Sequence, residues 1–182
     1  MSFSQKELLN YSVNMPLQNR QYKIANENFS SQASHQKYIF LSHSNKDARL
    51  AQGFVNKMRS LGIQVYFDLY DSTLSLPPSA DTADKLKTKI LNANHFILLA
   101  TKNSVVESRW CPWEVGCADG FKVPISIAQT RDEFGQEWGA EYLQLYHSID
   151  IRLIGGAREH VARLNPRKNN VLSIASLDSL LF

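Results

Sequence analysis

The densest run of chemistry-bearing side chains is Ser108-Arg109-Trp110-Cys111-Pro112-Trp113-Glu114, which sets two indoles, a thiol and a carboxylate within seven residues. Proline is favoured at the first position of a helix, where its missing N–H would be unpaired anyway. A helix is therefore expected from about Pro112 to Phe121, with Glu114 in its first turn. Unpaired N–H groups and the helix dipole there favour an ionised carboxylate. Such a group, held in place, can stabilise positive charge that develops in a reacting ligand. The alternative is that Glu114 only steadies the helix start, worth about 0.3–1 kcal/mol. Trp110, one turn earlier, either walls that site or packs the helix entry, and Trp113 reads as structural. Ser42-His43-Ser44-Asn45 follows a short apolar run, and Asp68 ends another. Ser42, His43 and Asp68 are candidate ligand contacts, and each also has an ordinary role as a hydrogen-bonded scaffold or loop-capping residue. Asn45 and the start of the next helix could face a pyrophosphate, though capping alone explains them.

Other chemistries are poorly supplied. Cys111 and Cys117 are the only cysteines, too few for a disulfide scaffold and without the spacing of a zinc site, so no metal is expected. Both read as buried small hydrophobes. No GxxxxGK[ST], GxGxxG or GxSxG is present. Residues 1–182 carry 20 Lys and Arg against 17 Asp and Glu, a net charge of +3, too mild for a dedicated nucleic-acid binder. No apolar run nears the roughly 20 residues needed to span a bilayer, the amino terminus lacks a signal-peptide core, and Ser2 stands where myristoylation needs glycine. A cytoplasmic protein with reduced cysteines, bound to neither membrane nor nucleic acid, is expected.

The elements that must position these residues follow from periodicity. Tyr38 to Leu41 is a short, continuously apolar run, as in a strand buried on both faces. Leu50, Phe54, Val55, Met58 and Leu61 then fall on one helical face, and Gly62 stops that helix. Ile63–Phe67 is a second strand. A polar loop from Leu69 to Ala83 leads to a helix marked by Leu86, Ile90 and Ala93. His95–Ala100, Val123–Ile127 and Ser148–Leu153 supply strands three to five, with Asp132–Tyr146 helical or irregular. Gly155-Gly156 is expected to open a last helix through Leu164. Residues 1–36 read as a polar N-terminal extension with a short helix near Gln5–Tyr11. This alternation implies right-handed βαβ crossovers and an α/β, flavodoxin-like five-stranded parallel sheet of order 2-1-3-4-5, with helices on both faces. Ligands of such sheets bind beyond the strands' carboxyl ends, where the winding reverses, here between Ser42–Asn45 and Ala100–Asn103. A receiver domain shares the topology, but the acidic residues it needs are replaced by Ser42-His43 and Ala100-Thr101.

Three segments together resemble the Toll/interleukin-receptor (TIR) domain family over about residues 37–153. They are Tyr38-Ile39-Phe40-Leu41-Ser42-His43-Ser44 with Asp47, then Gly62-Ile63-Gln64-Val65-Tyr66-Phe67-Asp68, then Ser108-x-Trp110-Cys111-x-x-Glu114. The wording is closest to bacterial single-domain members, and residues 37–182 would form the domain with a C-terminal helix and tail. The so-called BB loop after Asp68 departs from the family, being long and carrying Leu76-Pro77-Pro78. The resemblance implies an enzyme, an NAD+ glycohydrolase or ADP-ribosyl cyclase, with Glu114 catalytic and Ser42, His43, Asp68 and Trp110 at the substrate. NAD+ would be substrate rather than cofactor. It also implies homo-oligomers through TIR–TIR contacts, and a soluble ADP-ribose or cyclic ADP-ribose signal read by a separate effector in bacterial antiviral defence. Two alternatives stand beside it: a non-enzymatic TIR–TIR adaptor module, and a nucleoside-sugar transferase, which uses a similar sheet and a glutamate.

Overall fold

The computed structural model describes residues 2–14, 37–68, 79–154, 158–164 and 171–174. Strand β1 (Phe3–Ser4) leads directly into α1 (Gln5–Asn14). β2 (Ile39–Ser42) is followed by a 3₁₀ turn (Asn45–Asp47), α2 (Ala48–Ser60) and β3 (Val65–Tyr66). Next come α3 (Ala80–Leu91), β4 (His95–Ala100), a π-helical turn (Asn103–Glu107) and α4 (Trp110–Gly120). β5 (Ile125–Arg131), a 3₁₀ segment (Glu141–Leu145), β6 (His147–Ile154), β7 (Arg158–Leu164) and β8 (Val171–Ile174) complete the chain. No helix among the described residues is long and apolar enough to cross a membrane.

The sheet runs β3-β2-β4-β5-β6-β7-β8, with β1 also paired to β5. The pairs from β3 through β6 are parallel, so the expected flavodoxin-like arrangement is present as its core. Side-chain alternation divides this core into two layers. Ile39, Leu41, Val65, Phe67, Ile97 and Leu99 face α1 and α2. Phe40, Tyr66, Phe96, Leu98 and Ala100 face α3 and α4. On that second face Phe40 stacks between Tyr66 at 5.4 Å and Phe96 at 5.5 Å, cross-strand pairs that fix the register of the strands carrying the site. Gly62 closes α2 at φ +86°, the left-handed stop expected of it.

Two expectations fail. Arg158–Leu164 is not a helix: β7 lies antiparallel to β6, with Ile154 opposite Arg158. Gly155-Gly156, expected to open that helix, lie outside the described residues, and the i, i+3 spacing of Val161 and Leu164 does not by itself select a helix. The amino-terminal residues are also more than an extension. Phe3 and Ser4 pair with Thr130 and Arg131, and Phe3 and Leu8 are buried in the α1/α2 layer. The expected helix is present and lies so close to α2 that a Cβ on Gly53 would sit 1.9 Å from the Leu8 carbonyl oxygen; only glycine permits that approach.

Candidate active site

Sheet alternation decides which polar side chains meet. Ser42 is two residues beyond Phe40 and Asp68 two beyond Tyr66, so both fall on the α4 side, at the carboxyl ends of β2 and β3. Glu114 comes down from α4 onto the same spot. The Ser42 hydroxyl donates to Glu114 Oε2 at 2.6 Å, and Glu114 is only 5% exposed.

Glu114 is not where the sequence suggested. The helix begins at Trp110 rather than Pro112, with the Ser108 hydroxyl accepting from the Trp110 and Cys111 amides at 3.2 and 3.1 Å. Pro112 then sits inside the first turn, which still tolerates it because that N–H has no intrahelical partner. Glu114 moves into the second turn and points at the sheet. Its carboxyl pKa is pushed up to about 8, first by burial and then by the charge of Asp68, while the Ser42 hydrogen bond acts in the opposite direction. A dipole effect of about 0.3–1 kcal/mol loses to a shift worth several kcal/mol at about 1.4 per unit. The expected first-turn carboxylate is a buried acid that holds its proton near neutral pH.

The other candidates divide. Ser42 is buried and its hydroxyl is spent on Glu114, which makes it a positioning group for the carboxyl. His43 alternates to the opposite face, where its ring lies 4.8 Å from that of Phe67. Its Nδ1 is 3.4 Å from Asp68 Oδ1, a charge contact when the imidazole is protonated. Asp68, about one-fifth exposed, therefore links His43 to Glu114. Trp110 is half-exposed and packs edge-on against Trp113, with centroids 5.1 Å apart; its described ring contact is Trp113, not Glu114. Trp113 packs on the core as expected. Asn45 is exposed in the 3₁₀ turn. The Cys111 thiol is pushed up to about 12, by burial first and by Glu114 second, and is not a nucleophile. The BB loop residues 69–78 lie outside the described residues.

The loops on either side of the expected crevice between the β2 and β4 ends are joined by side-chain hydrogen bonds. Buried Asp47 accepts from the Thr101 hydroxyl and, at 2.6 Å, from Asn103 Nδ2. Ser104 bonds to the Leu99 carbonyl at 2.7 Å and receives the Thr101 amide at 2.9 Å. This network ties the loop after β2 to the loop after β4, while the buried cluster of Ser42 and Glu114 lies between β2 and α4. Sequence reasoning placed Thr101 and Asn103 at the crevice but missed Ser104 and the network itself; the signal was Thr-x-x-Ser directly after an apolar strand, a capping pattern.

The model of the TIR domain matches residues 39–162, and that stretch contains the three segments described above, all but Tyr38, together with Ser42, Asp68 and Glu114. The chain belongs to the TIR domain family. A relative from Bacillus cereus (strain MSX-D12), "Probable 3' cyclic ADP-D-ribose synthase ThsB'", is 36% identical over 112 residues, 59% of this chain and 58% of the relative. This TIR chain thus matches a little over half of that relative's length. In the TIR frame, the buried Glu114 is the glutamate four positions after the tryptophan that the resemblance marks as catalytic.

Proposed function

We propose that this TIR domain is an NAD+-cleaving enzyme that breaks the nicotinamide–ribose bond, with Glu114 as the catalytic carboxyl. The observation that carries this reading is the convergence of Glu114, Ser42 and Asp68 at the carboxyl ends of β2 and β3, with Glu114 buried and hydrogen-bonded to Ser42 at 2.6 Å. The name of the Bacillus cereus relative supports the same chemistry. Nicotinamide leaves a pyridinium cation as a neutral molecule, so departure needs no general acid. The ribose carbon gains oxocarbenium character, as in glycoside hydrolysis, and an adjacent carboxylate stabilises it. In the free protein Glu114 holds a proton near neutral pH; the positive pyridinium beside it favours the ionised form, so NAD+ binding expels that proton and arms the site. Asp68 lies close enough for its charge to act on Glu114, and His43 Nδ1 is 3.4 Å from Asp68 Oδ1.

The ribose cation is then captured by water or by a nucleophile of the same ADP-ribose. Held in place, the internal nucleophile reaches effective molarities of about 10⁵ M or more, so the expected product is a cyclic ADP-ribose. Such a product suits a soluble signal to a separate effector, as in bacterial antiviral defence, with TIR–TIR association completing the site. Purified protein incubated with NAD+ tests the reading: nicotinamide is released, and the nucleotide product is one water lighter than linear ADP-ribose. Linear ADP-ribose alone removes the cyclase assignment. No nicotinamide release across nanomolar to high micromolar protein removes the enzyme.

A further inference from the structure

The connection from β5 to β6 joins parallel strands, and such crossovers usually lay an α-helix over the sheet. Here residues 132–146 contain a turn, a bridge between Arg131 and Glu137, and the 3₁₀ segment Glu141–Leu145, with no α-helix among them. The segment reaches the sheet at Leu143, which is buried, and leaves a cavity of about 400 Å³ beside it. Ile127, Gln129 and Ser148 form the floor, with Leu143, Gln144 and Tyr146 around it. This is the size range of small-molecule sites, about 300–1,000 Å³. None of Ser42, His43, Asp68, Trp110 and Glu114 lines it.

The lining has unspent hydrogen-bonding capacity. Among the described residues, the side chains of Gln129, Gln144, Ser148 and Tyr146 make no hydrogen bond within the protein. The only charged residue in the lining is the carboxylate Glu141. A cavity with one carboxylate and no lysine or arginine repels phosphate and pyrophosphate. Two primary amides offer in-plane donor–acceptor edges, the pattern by which glutamine reads the N6/N7 edge of adenine, and Ile127, Leu143 and the Tyr146 ring supply apolar and aromatic surface for a flat heterocycle.

We propose that this cavity is a second ligand site, separate from Glu114, for an uncharged purine base or nucleoside. Gln129 and Gln144 hold the base edge, and Glu141 excludes the phosphorylated forms. The site is independent of NAD+ cleavage, because none of its residues belongs to the active centre.

Isothermal titration with adenosine, AMP and nicotinamide tests this on the full chain and on its Glu114→Gln variant. Adenosine is expected to bind both proteins equally, with AMP at least about tenfold weaker and nicotinamide weaker than adenosine. Gln129→Ala and Gln144→Ala should each weaken adenosine by about tenfold or more; Gln144 is exposed, so that variant leaves the fold intact and keeps the test valid if Gln129→Ala unfolds. No adenosine binding at millimolar concentration, AMP or nicotinamide binding as tightly as adenosine, or binding unchanged in Gln144→Ala overturns the proposal. Adenosine affinity that changes with Glu114→Gln but not with the glutamine variants assigns the ligand to the active centre instead. Failure of NAD+ cleavage leaves these outcomes unaffected.

Discussion

Replacing Glu114 with glutamine should make the protein more stable, and increasingly so as pH rises. The folded protein holds the Glu114 proton up to about pH 8, against 4.5 for an unperturbed glutamate. Between those values the folded state binds more protons than the unfolded chain, so stability falls as pH rises. From pH 5 to pH 8 the loss attributable to this one group is about 3–4 kcal/mol at about 1.4 kcal/mol per unit. Glutamine has the shape of the protonated acid, keeps an oxygen to accept from Ser42, and does not titrate. The two proteins should therefore melt close together at pH 5, and the variant should melt about 7–14 °C higher at pH 8, at 2–4 °C per kcal/mol for a chain of this size. Any cost of fitting the amide nitrogen is independent of pH and cancels in the trend. Paired calorimetric melts at pH 5, 6.5 and 8 without ligand measure it. The same variant should lose about a hundredfold or more in NAD+ cleavage. A melting difference that is flat with pH, or that turns against the variant as pH rises, refutes the buried-acid argument.

The remaining expectations use neighbouring residues. The pH profile of kcat/KM, which reports the free enzyme, should rise with unit slope to an inflection near the Glu114 value of about 8; Asp68→Asn should move that inflection down and Ser42→Ala up, because the Asp68 charge raises the pKa and the Ser42 hydrogen bond lowers it. Shifts of both variants in one direction would contradict the geometry. Gly53→Ala should prise α1 from α2, since its Cβ would fall 1.9 Å from Leu8 O, costing about 1–3 kcal/mol and selectively removing amide-exchange protection from Gln5–Asn14. Trp110→Ala should shift products towards linear ADP-ribose if that half-exposed ring shields the ribose from water; an unchanged product ratio on chromatography assigns the ring to packing against Trp113.

Much of the fold was legible because its strands are buried on both faces. Tyr38–Leu41 and His95–Ala100 have no polar residue on either side of the pleat except at their ends, and that is what βαβ units demand. The same alternation runs two residues past Phe40 and Tyr66 to Ser42 and Asp68, although sequence reasoning placed those two only at the ends of apolar runs. Less was legible where a tertiary contact reversed a local preference. Pro112 suggests a helix start, yet Ser108 caps the helix two residues earlier and turns Glu114 from the solvent-side first turn towards the sheet. Asp47 has the composition of a helix-start residue, and only the fold brings Thr101 and Asn103 across to it. Arg158–Leu164 carries no strong period, so its partner β6 decides its conformation.

The electrostatics of the centre depend on this last kind of information. A carboxyl that the proposed reaction needs in its charged form is held neutral at rest, and two neighbours act on it in opposite senses. Ser42 stabilises the carboxylate with one short hydrogen bond, and Asp68 disfavours it with a like charge. Asp68 is itself partly exposed and has the His43 imidazole at 3.4 Å. Ser42 and Asp68 thus both bear directly on the charge of Glu114. The burial that makes an empty, ionised site costly also makes a carboxylate effective once a cation replaces the proton, since charge interactions are strongest where water is excluded.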